Sequence, residues 1–390
     1  MNSGVKPHGY YNIQRVVTMK MSNRKRVLKT LSGKRADKIP KDAWWTPPAL
    51  EMFKEKTGQS DPAKYFGCEM REVLVSHIQD RENLLQTVNY PQNALYLPTE
   101  KYLSAYKNVD DISDIHKYFR IDEWGVGYEP CSTFHFTHMK HPMEAYRTVK
   151  EILDYPFPQV ANNRKALKSE IDDLKLNDYY VMGNIVAFVF EKAWHLRGIE
   201  NLLVDFIENE EFAAVLLDKI LEIKTQMALE LASSGVDQIN LGDDVGTQNS
   251  MIMHPAMWRK WIKPRFGSFI KAVKKANGKI RIFYHSDGFI EPIIPDLIEI
   301  GVDILNPVQP ECMNPILLRQ RYGQALTFWG VMGCQSTVRF GSPAQVELET
   351  KKWIDMVGQN GCLVLGLMGI EPDIPWENII SFFNAVEKYG

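Results

Sequence analysis

The sequence predicts a (β/α)8 TIM barrel, a single domain of eight parallel strands alternating with helices and carrying a long insertion in its N-terminal half. Apolar strand-like runs alternate with amphipathic helical segments through the second half of the chain, which favours parallel strands with both faces covered. Three similar runs precede them, making the eight that close a barrel. A doubly wound sheet is the competing architecture, but no glycine-rich GxGxxG turn follows the early strands.

The start of the chain is expected to be a peripheral extension. Residues 1–20 show no regular apolar pattern, and the barrel is expected to span residues 21–390. The first helix is predicted over residues 22–34, with Ser22 as its N-cap and Gly33 at its end.

The eight predicted strands are short apolar runs, of which the second is the weakest. The stretch from about 90 to 160 is rich in aromatic, proline and histidine residues, lacks the strand-helix rhythm and is predicted to be the insertion. In chain order the runs cover residues 42–46, 71–77, 178–186, 236–244, 279–288, 302–310, 326–333 and 362–369.

Helix signals follow several of these runs. A single helix is predicted around residues 257–275, and a closing helix starts at Trp376. Ser342, Pro343 and Gln345 together form a capping box with proline at the first helical position, so a helix is expected to begin there.

Composition narrows the class of protein. The 390 residues include 46 Lys and Arg against 48 Asp and Glu, a net charge of −2, which argues against nucleic acid as the main partner. The five cysteines are odd in number and share no CxxC spacing, so a reducing, cytoplasmic location is expected. No apolar run approaches the ~18 residues of a membrane span, and the start lacks the apolar stretch of a signal peptide.

Polar and aromatic side chains recur where the predicted strands end. Because catalytic groups of a barrel lie at the C-terminal ends of its strands, these residues are the candidates for the site. In chain order they are Trp44, Trp45, Asn184, Asp243, Asp244, His285, Asp287, Asn306, Gln309, Cys334, Glu371 and Asp373.

The segment His285-Ser286-Asp287 is the sharpest of these features. Residues i and i+2 of an extended chain face the same side, so His285 and Asp287 are expected to point into one pocket. The pair could ligate a metal, or Asp287 could orient a catalytic histidine. Alternatively, Ser286 or Asp287 could merely cap the next helix.

Asp243 and Asp244 end an unambiguous strand between Gly242 and Gly246. Their carboxylates are predicted to bind substrate, bind a metal or move a proton, because the flanking glycines allow a ligand to come close. The alternative is ordinary turn chemistry, which aspartate also favours.

The remaining candidates have weaker support. Asn184, Asn306 and Gln309 are predicted to bind substrate, although Asn-Pro loops are ordinary turns. Trp44 and Trp45 could stack on a flat ligand, as could Trp124, although such residues more often pack in a core. Three histidines at a spacing of three suggest a metal site, but a loop role is favoured without further ligands; they are His135, His138 and His141.

Taken in order, these motifs resemble the uroporphyrinogen decarboxylase superfamily, which includes cobalamin-dependent methyltransferases. The resemblance covers most of the chain from about residue 21, and the segment 241–310 is the most specific part. The matching segments are NRKRVLKTLSGKRADKIP, IDEWGVGY, LGDDVGTQ, WRKWIKPRF, HSDGFIEPIIPDLIEIGVDILNPVQP and EPDIPWENI. The resemblance implies a (β/α)8 barrel with a deep pocket at the strand C-termini.

Within that family the sequence resembles the methyltransferases rather than the decarboxylase itself. The decarboxylase has arginines after its first strand that bind the carboxylates of an acidic tetrapyrrole, whereas this chain reads WWTPPALEM there. The zinc methyltransferases carry a His-x-Cys pair and a later Cys. Here His285 is kept, but Asp287 replaces the first Cys and the loop GLMGIEPD has none.

The resemblance therefore implies a methyltransferase component that demethylates a small methoxylated or methylated donor. The methyl group would pass to a corrinoid carried by a small partner protein, and members of this family often form homodimers. If zinc is bound, His285, Asp287 and an acid, Glu371 or Asp244, are the expected ligands, with Cys334 as an outside candidate. A carboxylate-rich set suits oxygen substrates better than a thiolate set. His285, Asp243 and Asp244 are the expected catalytic residues.

Two alternatives remain open from sequence. One is a decarboxylase-like lyase acting on a carboxylate that is not a tetrapyrrole and needing neither metal nor partner. The other is a non-catalytic barrel that binds a small ligand.

Overall fold

The eight predicted strands form one parallel sheet. A computed structural model describes residues 21–105, 115–130 and 138–390. In this part of the chain the strands are β1 (Lys41–Trp45), β2 (Met70–Leu74), β3 (Tyr180–Ile185), β4 (Gln238–Gly242), β5 (Arg281–His285), β6 (Ile304–Asn306), β7 (Thr327–Val331) and β8 (Leu363–Ile370).

The sheet curls into a nearly closed barrel, as predicted. Its order is β1-β8-β7-β6-β5-β4-β3-β2, with every hydrogen-bonded pair parallel. All eight runs identified in the sequence are strands, including the weak second one, so the (β/α)8 fold is confirmed.

Helices surround the sheet and connect its strands. The described helices are α1 (Asn23–Leu31), α2 (Pro47–Thr57), α3 (Pro62–Tyr65), α4 (Arg81–Val88), α5 (Thr99–Ala105), α6 (Val149–Leu153), α7 (Arg164–Leu176), α8 (Val189–Arg197), α9 (Ile199–Glu208), α10 (Glu210–Ser234), α11 (Pro255–Trp261), α12 (Lys263–Ala276), α13 (Ile294–Ile300), α14 (Pro315–Tyr322), α15 (Thr337–Phe340), α16 (Pro343–Val357) and α17 (Trp376–Tyr389).

Most helix boundaries follow the sequence signals, with two corrections. The capping box of Ser342 and Gln345 opens α16, as predicted. The single helix expected over 257–275 is instead α11 and α12, because Pro264 lacks the amide hydrogen that would continue one into the other. The side chain of Ser22 makes no cap hydrogen bond; Asp178 accepts from the first amides of α1 instead, at 2.6 and 3.4 Å.

Helix α1 closes the N-terminal end of the barrel. Val27 and Leu31 are buried in the cluster formed by the inward-facing side chains of the strands. The backbone of α1 bonds to residues that precede strands: Arg24 donates to the carbonyl of Asp178, and Cys362 donates to Thr30. The opposite end, where the strands finish, is therefore the open end.

The extra elements lie between β2 and β3. They include a four-stranded sheet and a two-stranded pairing of His77–Ile78 with Gln159–Val160. The carboxylate of Asp122 shapes the larger sheet, since it accepts hydrogen bonds from the amides of Trp124 and Val126, both at 2.9 Å. The strands of this sheet are Leu95–Tyr96, Arg120–Ile121, Gly127–Tyr128 and Met139–Lys140.

Some sequence predictions fall outside the described residues. These are the N-terminal extension over residues 1–20, Cys131 and His135. Within the described ranges, none of the helices has the length and apolar character needed to cross a lipid bilayer.

Candidate functional site

One histidine and two aspartates meet at the open end of the barrel. His285 ends β5, Asp287 follows it by two residues, and Asp244 follows β4. The Nε2 atom of His285 lies 3.7 Å from Oδ1 of Asp244 and 3.9 Å from Oδ1 of Asp287. Among the described residues, this is the group whose donor atoms, all within 4.8 Å of one another, could hold a metal ion.

The imidazole of His285 is held from the side opposite these aspartates. Its Nδ1 atom lies 2.5 Å from Oδ1 of Asn306, and the amide nitrogen of Asn306 donates to the carbonyl of Trp329 at 2.8 Å. Because that second bond fixes which end of the amide faces the ring, Nδ1 carries a hydrogen, and Nε2, on the side of the aspartates, is the nitrogen that could ligate a metal. Asn306 thus orients the histidine.

The loops that carry the two aspartates are packed directly on each other. The backbone amide of Asp287 donates to Oδ1 of Asp244 at 2.9 Å. Gly288 has a φ of +80°, and a Cβ there would lie 2.5 Å from the carbonyl oxygen of Thr247, so glycine is needed at this crossing. The amide of Gly288 also donates to Oε1 of Gln309 at 2.7 Å. Gln309 is therefore placed to hold the loop.

The two adjacent tryptophans face opposite ways, as neighbouring strand residues must. Trp44 is 55% exposed, and its ring meets that of His285 edge to face with centroids 6.2 Å apart. Trp45 is buried against Phe53 and Phe66 behind the sheet. Trp44 thus lies at the site, whereas the position of Trp45 does not support its predicted role in substrate binding.

Asp243 is also turned away from the metal-ligand group. Its side chain is fully buried and accepts from the amides of Phe190 and Glu191, at 3.1 and 2.8 Å, at the start of α8. Burial raises the pKa of Asp243 to about 7, against the lowering effect of those hydrogen bonds. This position is that of a helix-capping residue and does not support the predicted catalytic role.

Glu191 is a residue of the site that the sequence analysis missed. Its carboxylate and the ring of His285 both lie within 4 Å of the point where a Cβ of Gly242 would be. Burial, together with the charges of Asp244 and Asp243, raises the pKa of Glu191 to about 8. The sequence feature that could have indicated Glu191 is its position in the first turn of the helix that follows β3.

Three other candidates lie outside the group of His285, Asp244 and Asp287. Glu371 is not among the potential metal ligands; its Oε2 accepts from the hydroxyl of Thr46 at 3.2 Å, so the acid completing the predicted set is Asp244. Asn184 donates to Glu72 at 3.3 Å. Burial raises the pKa of Cys334 to about 12, so the thiolate that binds zinc is disfavoured there.

The chemistry of the donor set fits a divalent ion such as zinc. Ligands about 2.1 Å from a tetrahedral zinc are about 3.4 Å apart, close to the separations around His285. Three protein ligands leave a fourth position for substrate, as in catalytic zinc sites. Burial lowers the pKa of His285, but Asp287, Asp244 and Asn306 together raise it above its usual value. A bound cation would compete with that proton.

The chain belongs to the uroporphyrinogen decarboxylase family. The family model for uroporphyrinogen decarboxylase (URO-D) matches residues 140–389, more than half of the chain, and agrees with the resemblance found in the sequence. The comparison with curated proteins gives no significant match.

A solved structure shares the fold. A methyltransferase from Methanosarcina mazei superposes with a TM-score of 0.63 at 16% sequence identity, covering 94% of this chain and 99% of that one. A B12-independent methionine synthase from Shewanella sp. W3-18-1 has a TM-score of 0.35 at 14% identity, covering 60% of this chain and 67% of that one, a likeness too low to carry an argument.

Proposed function

We propose that this protein is a methyltransferase component that moves a methyl group between a small methoxylated or methylated molecule and a corrinoid carried by a partner protein. The observation that carries the proposal is the group of His285, Asp244 and Asp287 at the open end of a barrel of this family. The similar fold of a methyltransferase from Methanosarcina mazei supports the same branch of the family.

His285, Asp244 and Asp287 would hold zinc. Zinc bound there would supply a Lewis acid that draws electrons from the oxygen or nitrogen carrying the methyl group. Asn306 keeps Nε2 of His285 aimed at the ion, and Trp44 provides an aromatic wall beside it. The methyl group would leave its oxygen or nitrogen without the bonding electron pair, and its new bond would use an electron pair from a reduced corrinoid held by the partner.

The donor set favours a hard leaving atom. Both acids of the group are carboxylates, and the nearby free thiol, Cys334, is not part of it. Carboxylate and imidazole ligands suit oxygen and nitrogen donors, whereas thiolates suit softer partners. The proposed donors are therefore methyl ethers, methanol or methylamines rather than thioethers.

Decarboxylation of an acidic tetrapyrrole has less support. The segment WWTPPALEM forms the end of β1 and the start of α2, and it contains no arginine. The aromatic Trp44 lies where such a substrate would need cationic partners for its carboxylates.

Metal content and methyl transfer test the proposal together. Protein purified without added metal is expected to contain about one zinc per chain, and it should methylate reduced free cobalamin when given methanol, a methylamine or a methoxylated acid. Absorbance reports the transfer. His285→Ala should lower both zinc occupancy and rate by ~100-fold or more, since it removes a direct ligand.

His254→Ala is the matched control. His254 is exposed, and its ring caps α11 by accepting from the amide of Ala256. This variant should keep its zinc and its rate. Transfer that survives His285→Ala unchanged, or that is lost equally in His254→Ala, contradicts the assignment of the site.

A further inference from the structure

A second polar cleft lies at the same end of the barrel, beside the ends of β2 and β3. It is lined by the strand ends and by side chains from α8, α10 and the insertion, and its cavity volume is about 20 Å³, enough for a small polar group. The cleft is narrow, so it suits a small group rather than a whole large molecule. Its principal polar residues are His77, Glu123, Asn184, Lys192 and Lys224.

The cleft contains hydrogen-bond donors that the protein itself barely uses. Lys224 is 2% exposed, and its ammonium donates to the carbonyl of Val186 at 2.6 Å. Lys192 is 4% exposed, and its ammonium lies 3.5 Å from Asp122. Each ammonium has three hydrogens, so most of them remain for another acceptor.

His77 contributes further polar atoms to the cleft. Its side chain is 5% exposed, and neither ring nitrogen has a hydrogen-bond partner among the described residues. Nδ1 lies 3.6 Å from Glu123 and 3.9 Å from Glu100, beyond hydrogen-bond distance. A buried polar atom without a partner costs stability, so a ligand that reaches it gains that energy on binding.

The carboxylates around the cleft are already used to hold the insertion. Asp122 accepts from the backbone of the loop that follows it. Glu123 accepts from the amide of Thr99 at 2.6 Å, and Glu100 accepts from the amide of His77 at 2.7 Å. The acceptors are therefore engaged within the chain, whereas Lys192 and Lys224 each donate one hydrogen bond to the described residues.

We propose that this cleft binds a carboxylate of the methyl donor, with the amino groups of Lys192 and Lys224 as its hydrogen-bond donors. The planar carboxylate supplies two acceptor oxygens, and the cleft supplies hydrogen-bond donors that the protein does not fully use. The proposal rests on the proposed function and names the class of donor: a small carboxylic acid that also carries the methyl group.

The position of the cleft relative to the metal-ligand group fits such a donor. The cleft lies at the ends of β2 and β3, whereas the metal-ligand group lies at the ends of β4 and β5, the next two strands of the sheet. Neighbouring strands are about 4.8 Å apart, so the two sites are separated by roughly one to three strand spacings. A short molecule can therefore place its acid between the lysines and its methyl group toward His285.

Binding measured without turnover tests this inference separately from the proposed function. The probes are methoxyacetate and its uncharged amide, titrated calorimetrically into the zinc-loaded protein. The acid is expected to bind at least ~10-fold more tightly than the amide, since charge-assisted hydrogen bonds are worth about 1.5–3 kcal/mol. Lys192→Met and Lys224→Met should each remove this preference while zinc content stays unchanged.

Lys219→Met is the matched control, because Lys219 lies on the same helix as Lys224 and is 40% exposed. It should keep the full preference for the acid. The inference is overturned if the wild-type protein binds acid and amide equally, a result that needs no variant to fold. It is also overturned if the preference survives both cleft substitutions, or if methylphosphate is preferred over methoxyacetate.

Discussion

The Nδ1 atom of His285 lies 2.5 Å from Oδ1 of Asn306, and Asn306 is itself anchored to the carbonyl of Trp329. Strands β5, β6 and β7 are thus connected by one chain of hydrogen bonds that ends at the proposed metal ligand. The orientation of the imidazole is set by the barrel wall and not by the loops above it. In the proposed site His285 would bind the metal, whereas Asn306 holds the ring of His285 in position.

Asn306→Ala should weaken zinc binding by about 10- to 100-fold without removing a direct ligand, since outer partners of a ligating histidine contribute at this level. Competition with a zinc chelator measures the change. The control is Asn378→Ala, which removes a buried asparagine on α17 that donates to Val338 and Gly341. Equal zinc affinity in wild type and Asn306→Ala would show that the histidine needs no such support.

Gly288→Ala should separate the loops that carry Asp244 and Asp287. The new Cβ would meet the carbonyl of Thr247 at 2.5 Å, and the φ of +80° adds backbone strain. We expect a loss of about 1–3 kcal/mol in the free energy of unfolding, with weaker zinc binding. Urea unfolding and zinc titration are the measurements.

Gly267→Ala provides the opposite control. Gly267 lies inside α12, and the nearest atom to its added Cβ is 3.5 Å away on Ile300. Alanine should stabilise the protein there by about 0.5–1 kcal/mol, because glycine is costly inside a helix. If Gly288→Ala and Gly267→Ala change the free energy of unfolding in the same direction, the crossing of the two loops is not as tight as described.

Asp243→Ala should reduce the free energy of unfolding more than it reduces the affinity for zinc. It leaves the amides of Phe190 and Glu191 without an acceptor, at a cost of about 1–3 kcal/mol in unfolding free energy. Asp243→Asn keeps an acceptor oxygen and should lose less. Asp80→Ala, an exposed cap on α4, is the control and should cost about 1 kcal/mol. A variant at 243 that is stable but inactive would restore the catalytic role predicted from sequence.

Lys224 should make stability rise with pH. Burial and the charge of Lys192 lower the pKa of Lys224 from 10.5 to about 7, although Glu123, Glu191 and Asp243 oppose the shift. Between pH 7 and 10.5 the unfolded chain holds a proton that the native protein lacks, so the free energy of unfolding increases with pH in that window. Below pH 7 both states hold the proton, and the full cost of burying the charge is present.

The corresponding measurement compares urea unfolding at pH 7 and pH 9. The wild type should gain about 2 kcal/mol more than Lys224→Met over this range. Lys219→Met, with its exposed side chain on the same helix, should behave as the wild type. Parallel pH dependence in wild type and Lys224→Met would mean that Lys224 stays charged at pH 9.

The barrel was predictable because its signal repeats along the chain. Each strand is a short apolar run, and errors in one boundary do not alter the count. Local breaks were harder: the division of α11 from α12 depends on the missing amide of Pro264, and the start of α1 is capped by Asp178, which lies over 150 residues away in sequence. A distant capping residue leaves no local pattern.

The site was predictable only in part, because neighbouring residues that the fold places differently were given the same role. Trp44 and Trp45 are adjacent, as are Asp243 and Asp244, and each pair was treated as a unit. Strand β1 turns Trp44 toward the open end and Trp45 behind the sheet, whereas Asp243 and Asp244 follow β4, and Asp243 is held by the amides at the start of α8. Applying the period of two would have separated the tryptophans but not the aspartates.

The residues around the cleft could not be found in this way. Lys192 and Lys224 lie on helices whose charged positions normally face solvent, and their burial follows from the insertion that covers them. Trp124 in that insertion has both ammonium groups over its ring, at 5.4 and 5.2 Å. Only the assembled fold brings these groups together.

Because α1 fills the bottom of the barrel through Val27 and Leu31, the described part of the chain leaves the barrel open at the end where the strands finish. Under the proposed function, the small donor and the corrinoid protein must both bind at this open end. The bound corrinoid protein would then block access of the donor. Binding would therefore be ordered, with the donor first and the partner second. The demethylated product would be released only after the partner dissociates. High partner concentrations would accordingly inhibit turnover by trapping chains that are still empty.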